Sequence, residues 1–177
     1  MKIYEYIPTK NLARLGGLIT ITLALAAAFF TTPLLVPTLP FHGLFQLLSV
    51  VFLVIALYLY TRYVAKSFIF SIITHDDGSY DLTVCELSNG GKRRKTVCRI
   101  GLASIYESYL LHPELPEENL REEELCARAR AEHLSCYDYF HDIKPRPVLL
   151  LFVEECGEKI LIKLSPDEML LKYLKAE

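Results

Sequence analysis

A run of four basic residues is the feature of this sequence best suited to binding a ligand. Lys92, Arg93, Arg94 and Lys95, here called the basic cluster, directly follow the Asn-Gly-Gly of residues 89–91, which is typical of a tight turn between antiparallel strands. Cationic side chains on a hairpin tip can meet anionic lipid headgroups, each contributing about 1 kcal/mol near a membrane surface. An ordinary solvated turn has the same composition, so both interpretations remain open.

Residue types that perform catalysis are present, but not in patterns that predict a reaction. His75 beside Asp76 and Asp77 has the composition of a metal site or a general base, and equally that of a solvated hairpin turn. The three consecutive glutamates of residues 122–124 cannot share one helical face, so they do not predict a paired-carboxylate site. Glycine-rich phosphate loops and the zinc-protease and serine-hydrolase signatures are absent. We therefore predict no catalytic residue, no metal and no other cofactor, and expect that the protein is not an enzyme.

The cysteines predict neither a disulfide framework nor a zinc site. Their number is odd, and no two have the close spacing that zinc sites use. Free thiols are typical of a reducing compartment. The five are Cys85, Cys98, Cys126, Cys136 and Cys156.

The distribution of charge argues against a nucleic-acid partner. Residues 1–66 carry a net charge of +4, whereas residues 67–177 carry a net charge of -6. Nucleic-acid binding requires a basic face that neutralises phosphates, which an acidic domain does not supply.

Two transmembrane helices are predicted within residues 1–66. Residues 15–61 form a run of 47 residues without Asp, Glu, Lys or Arg, too long for one membrane-spanning helix and suited to two. Prolines at positions 33, 37 and 40 mark the break, so the predicted helices are 15–36 and 41–61, joined as a hairpin. A signal peptide is the rival interpretation, but the apolar run continues past the alanines that would mark its cleavage site.

The ends of this hairpin predict its orientation. Lys10 and Arg14 precede the first helix, Arg62 and Lys66 follow the second, and the turn between the helices has no basic residue. Because basic flanks remain inside, both termini are expected in the cytoplasm, with the protein in the cell (inner or plasma) membrane.

A stripe of small residues recurs every four positions on the first helix, which allows close helix packing in lipid. Two partners are compatible with this stripe: the second helix of the same chain, or the same helix of a second copy in a homodimer. The stripe consists of Gly16, Thr20, Ala24 and Ala28.

Residues 67–177 have the alternating pattern of antiparallel strands separated by turn residues. About seven strands are predicted, together with an inserted helix and a C-terminal helix whose start is marked by a capping box from Ser165 to Glu168. The apolar centre of the strand at 148–154 indicates burial on both faces. The predicted strands are 67–75, 80–87, 96–100, 105–111, 135–142, 148–154 and 159–164, and the helices are 116–133 and 166–175.

This element order resembles the bacterial membrane-anchored pleckstrin-homology-like (PH-like) domains. The resemblance covers about residues 67–177 and rests on topology and on IGLASI at residues 100–105, which is similar to the kink between strands three and four of such domains. It implies a membrane protein with an α+β domain, in which an antiparallel β-barrel or sandwich is closed by the C-terminal helix. Eukaryotic relatives typically bind phosphoinositides through the first hairpin. Here that hairpin carries Asp76 and Asp77, so no specific inositol-phosphate pocket is implied.

The predicted function is that of a membrane-tethered, non-enzymatic interaction or regulatory domain, binding membrane lipids, a protein partner or a second copy. The alternative is a small membrane-bound enzyme or an accessory subunit of one. Glutamates at positions 117, 118, 122, 123 and 124 of the inserted helix repel one another, so the helix is predicted to be solvated and partly mobile at a sheet edge, with Cys126 exposed. A partner is expected to dock near it and near strand 135–142. Its apolar stripe is predicted to be Leu120, Ala127, Ala131 and Leu134.

Overall fold

The computed structural model describes residues 1–8, 12–36, 41–88, 91–112, 114–140, 142–143 and 147–174. The chain forms two compact units: Lys10–Lys66, and Met1–Thr9 together with Ser67–Glu177. The predicted division places residues 1–66 in one transmembrane hairpin domain, whereas in the structure Met1–Thr9 belongs to the β-sheet unit.

The helical unit contains α1 (Leu12–Leu35) and α2 (His42–Leu59), followed by a π-helical turn (Tyr60–Val64). Two segments of 23 residues, Ala13–Leu35 and His42–Val64, are long and apolar enough to cross a membrane. The predicted turn through Pro37 and Pro40 lies outside the described residues.

The contact between α1 and α2 does not use the small-residue stripe. Ser49 Oγ donates a hydrogen bond of 2.9 Å to the carbonyl oxygen of Ala26, and both residues are buried. The rings of Phe29 and Phe52 stack beside them at 5.4 Å. Ala26 is two positions from Ala24 and points about 200° away from it around the helix. The four stripe residues are exposed in this unit, so their predicted packing against the second helix is wrong, and the homodimer stays a prediction.

Sheet A contains four antiparallel strands in the order β1-β2-β3-β4, of which only β1 was not predicted. β1 precedes the helices in sequence and pairs with β2, which follows them, with Tyr6 opposite Phe70. Tyr4 and Tyr6 point toward the core, where the Tyr4 ring lies 5.7 Å from that of Tyr173. The strands are β1 (Lys2–Tyr6), β2 (Ser67–Thr74), β3 (Tyr80–Ser88) and β4 (Arg93–Gly101).

Sheet B has the order β5-β7-β8-β6, and β6 runs parallel to β8. The predicted set of about seven antiparallel strands is therefore corrected to eight described strands with one parallel pair. The parallel pair arises because the inserted helix, α3 (Pro116–Ala131), carries the chain from β5, at one edge of the sheet, to β6 at the other. The strands are β5 (Ile105–Leu111), β6 (Ser135–Asp138), β7 (Val148–Glu155) and β8 (Glu158–Leu164).

The central strand β7 is buried on both faces, as its apolar sequence predicted. Leu149, Leu151 and Val153 face the core between the two sheets. The alternate residues Leu150 and Phe152 lie in a second cluster with Ala129 and Leu134. Sheet B therefore lies between sheet A and the inserted helix.

The inserted helix α3 (Pro116–Ala131) is exposed over most of its length, as predicted, but it packs on the outer face of sheet B rather than at an edge. Its predicted mobility stays a prediction. Cys126 and Ala129 are the buried residues of this helix. Three of the four predicted stripe residues are exposed: Leu120, Ala127 and Ala131. Two ion pairs connect the helix to sheet B: Arg128 with Glu107 at 2.9 Å, and Glu122 with Lys163 at 3.3 Å.

The C-terminal helix α4 (Glu168–Leu174) buries Leu170 completely. Its N-terminus is capped by Asp167, whose Oδ1 accepts the Leu170 N–H at 2.8 Å. The predicted capping box is therefore wrong, because the Ser165 hydroxyl is buried without a hydrogen-bond partner among the described residues. Asp167 also accepts a hydrogen bond from the Tyr4 hydroxyl, which connects α4 to β1.

Candidate functional site

The basic cluster lies on the hairpin between β3 and β4, as the turn residues predicted. Lys92 belongs to the turn, and Arg93, Arg94 and Lys95 begin β4. Gly91 has a φ of 89°, a left-handed conformation that glycine adopts without steric cost. Residues 89 and 90 of this turn lie outside the described residues.

All four side chains of the cluster are exposed, and one of them has an acidic partner. Arg94 Nη1 lies 3.2 Å from Glu5 Oε1 of β1, and Glu5 also pairs with Lys2. Lys92, Arg93 and Lys95 have no ion-pair partner within the described part of the chain. The cluster therefore presents three positive charges that are not in ion pairs among the described residues, and Glu86 of β3 lies opposite one of them, Lys95.

Strand register brings this cluster to one particular end of sheet A. Ser88 is opposite Arg93, and Leu87 is opposite both Arg94 and Ser67. Ser67 is the first residue of β2 and directly follows the helical unit. Since neighbouring strands are about 4.8 Å apart, the backbones of Arg94 and Ser67 are separated by roughly 10 Å.

β1 leaves the sheet at the same end. Its last residue, Tyr6, is opposite Phe70, and the chain enters the helical unit four residues later at Lys10. Both connections to the helical unit therefore start from the end of sheet A that carries the basic cluster. Sequence reasoning found the cluster but could not find this proximity, which depends on β1.

A second polar group, missed from the sequence, lies on β3 and β4. Arg99 Nε donates to Asp81 Oδ2 at 2.7 Å, and His75 Nε2 lies 2.9 Å from the same oxygen. Burial acts to raise the pKa of Asp81, but the hydrogen bonds and charges of His75 and Arg99 outweigh it, so the pKa is lowered. Of the two interpretations of His75, Asp76 and Asp77, the structure therefore favours the solvated turn, because Asp76 and Asp77 are exposed and His75 contacts Asp81 instead.

Asp77 instead stabilises its own turn. Its Oδ1 accepts hydrogen bonds from the Ser79 hydroxyl and backbone N–H, at 2.6 and 2.9 Å. These bonds lower the pKa of the Asp77 carboxyl. The β2–β3 hairpin is thus an acidic, internally bonded turn, and it lies at the end of sheet A opposite the basic cluster.

The remaining candidate groups are dispersed. In the described ranges, no three His, Cys, Asp or Glu side chains come together as metal ligands. All five cysteines are free thiols: Cys85 and Cys126 are buried, Cys98 is half-buried, and Cys136 and Cys156 are exposed. The predicted exposure of Cys126 is therefore wrong, because α3 turns this residue toward sheet B. Comparison of the chain with protein-family models, with curated proteins and with solved structures finds no match.

Proposed function

We propose that the chain is a membrane-anchored, non-enzymatic binding domain whose basic cluster engages anionic lipid headgroups. α1 and α2 form the anchor, and the β-sheet unit is held at the membrane surface. The observation that carries this proposal is the strand register, because the exposed cluster shares its end of sheet A with both connections to the helices. Cations held within about a Debye length of an anionic surface are attracted to it.

The pairing of β1 with β2 supports the hairpin topology within this proposal. These strands flank the helical unit in sequence, so a chain that crosses the membrane twice must return to the side where β1 lies. The basic flanks at Arg14 and Arg62 favour the cytoplasmic side. We infer that both termini and the whole β-sheet unit are cytoplasmic.

A PH-like fold is the architecture we propose for the β-sheet unit. Four antiparallel strands (β1–β4), an antiparallel set of three (β5, β7 and β8) and a closing helix (α4) are the elements that support it. Two features extend that plan: the helical unit is inserted between β1 and β2, and α3 with β6 is inserted between β5 and β7.

The orientation predicts a specific pattern of thiol labelling. Cys156, exposed in the β7–β8 turn, should react with a membrane-impermeant maleimide only after the cells are opened. The protein for this test retains Cys156 alone, with the other four cysteines replaced by serine or alanine. Its matched control carries T38C between the two helices and no other cysteine, and should be labelled in intact cells. Labelling of Cys156 in intact cells would overturn the orientation.

Neutralising the basic cluster should weaken the binding of anionic lipid to the protein. In full-length protein extracted with phosphatidylglycerol, K92Q/R93Q/R94Q/K95Q is expected to retain fewer lipids in native mass spectra. The three cations outside ion pairs, at about 1 kcal/mol each, correspond to roughly a hundredfold loss of surface affinity at low salt. The effect should diminish at high salt because exposed charges are screened.

A control with the same change in net charge distinguishes lipid binding at the basic cluster from general attraction of lipid to a positively charged protein. The variant R121Q/R130Q/K159Q/K172Q removes four positive charges elsewhere in the β-sheet unit and should retain lipid like the unmodified protein. Equal lipid loss in both variants, or in neither, would contradict the proposed site.

A further inference from the structure

The two sheets leave a cleft between the edge strands β4 and β6, which we call the seam. It is lined on one side by β4, including Cys98 and Ile100, and on the other by Tyr137, Tyr139 and Ile160. Its volume is about 310 Å³. That value lies at the lower limit of small-molecule sites, which span about 300–1,000 Å³, and suits one or two inserted side chains better than a whole cofactor.

Strand β6 is the edge strand of sheet B along the seam. The Tyr139 N–H donates to the Lys163 carbonyl of β8 at 2.9 Å. Because peptide groups alternate in direction along a strand, the N–H and C=O of Cys136, three residues earlier, point away from β8 and toward the open edge. All four residues of β6 are exposed, and α3 covers the face of sheet B rather than this edge.

Charge is distributed unevenly along the seam. Glu155 and Glu158, at the turn between β7 and β8, line one end of it. Arg99 also lines the seam, but its guanidinium is hydrogen-bonded to Asp81 at 2.7 Å. Since Ser135 is opposite Ile160, the two glutamates lie toward the start of β6. The uncompensated charge of the seam is therefore negative and lies at a defined end.

We propose that β6 is a docking edge for an extended segment of a partner protein, which adds a strand beside β6 and inserts an aromatic or apolar side chain into the seam. A lysine or arginine of the same segment meets Glu155 and Glu158. Backbone pairing supplies affinity in this mode of recognition, and the inserted side chain with the basic residue supplies specificity. This surface is separate from the basic cluster and does not depend on lipid binding.

The backbone contact can be tested by removing one N–H. Proline is tolerated on an edge strand where its missing N–H would face solvent, so C136P should fold, with a melting temperature close to that of C136A. The full-length protein is placed in nanodiscs of zwitterionic lipid, and binding of the fluorescent peptide KTKVTVFVTV is followed by anisotropy. We expect C136P to bind about tenfold more weakly than C136A, since a lost backbone hydrogen bond costs about 1 kcal/mol and strand alignment suffers with it.

A second pair of measurements tests the proposed ion pairs between the peptide lysines and the two glutamates of the seam. E155Q/E158Q should weaken binding of this peptide by up to about fivefold, as expected for exposed ion pairs, and should not weaken binding of a twin peptide with both lysines changed to glutamate. Two results would overturn the proposal: equal binding of the peptide to C136P and C136A, or a preference of the unmodified protein for the acidic twin.

Discussion

A protein in which residues 117–132 are replaced by a short glycine-serine loop should fail to fold. In the structure, α3 covers the outer face of sheet B, where Val148, Leu150, Phe152 and Leu161 are at most 1% exposed. Moving such side chains into water costs about 1.5–3 kcal/mol each. The total is comparable with the roughly 5–15 kcal/mol that stabilises a typical domain.

Point substitutions in α3 test its packing on sheet B without a deletion. A129E introduces a carboxylate where Ala129 is fully buried against sheet B, whereas A127E introduces it at an exposed position of the same helix. An unpaired buried charge is strongly destabilising, so A129E should unfold at a much lower denaturant concentration than A127E. Unfolding in urea is measured by circular dichroism. Equal unfolding midpoints for the two variants would show that α3 is not packed as described.

Removing β1 should destabilise the β-sheet unit almost as strongly. A chain that begins at Ser67 loses Tyr4 and Tyr6 from the core and leaves β2 as an open edge. We expect its free energy of unfolding to fall by roughly 3–5 kcal/mol, the cost of deleting a large aromatic side chain from a core. A chain in which Met1–Pro8 is joined to Ser67 by a Gly-Asn-Gly linker should recover that loss. The two chains are compared by urea unfolding.

A matched pair within β1 tests the packing itself. Y4A removes a ring that contacts Tyr173 and a hydroxyl that bonds to Asp167, whereas I3A shortens a side chain on the opposite, exposed face. Y4A should lower the stability of the joined chain clearly more than I3A. If the chain starting at Ser67 is as stable as the joined chain, β1 is not part of the folded unit.

The sequence predicts best those elements in which nearly every side chain is apolar, because such segments must be buried or in a membrane wherever the rest of the chain lies. An uncharged run of 47 residues suffices to indicate two apolar helices, and the unbroken apolar stretch of β7 suffices to indicate a buried strand. The basic cluster was likewise located at a turn by its neighbouring glycines. Its closeness to the helix connections was not accessible, because that depends on the register of β1, β2 and β3.

The features that sequence reasoning missed depend on distant partners or on small residues. β1 has only five residues, and its partner β2 begins 61 positions after Tyr6. The buried side of α3 is formed by Cys126 and Ala129, whose small side chains do not stand out from the charged residues around them. At α4, Ser165 and Asp167 are both good capping residues, and only the structure distinguishes them.

The order of β1, helices and β2 along the chain also constrains biogenesis. β1 leaves the ribosome first, yet its partner follows only after both helices have been synthesised, several seconds later at about 5–20 residues per second. During that interval Tyr4 and Tyr6 have no core to join. In the membrane-inserted protein we propose, a copy whose first segment was translocated to the wrong side would leave β2 without its edge partner. Completion of sheet A would then act as a checkpoint, and incorrectly inserted copies would be recognisable to cellular proteases by their unfolded cytoplasmic domain.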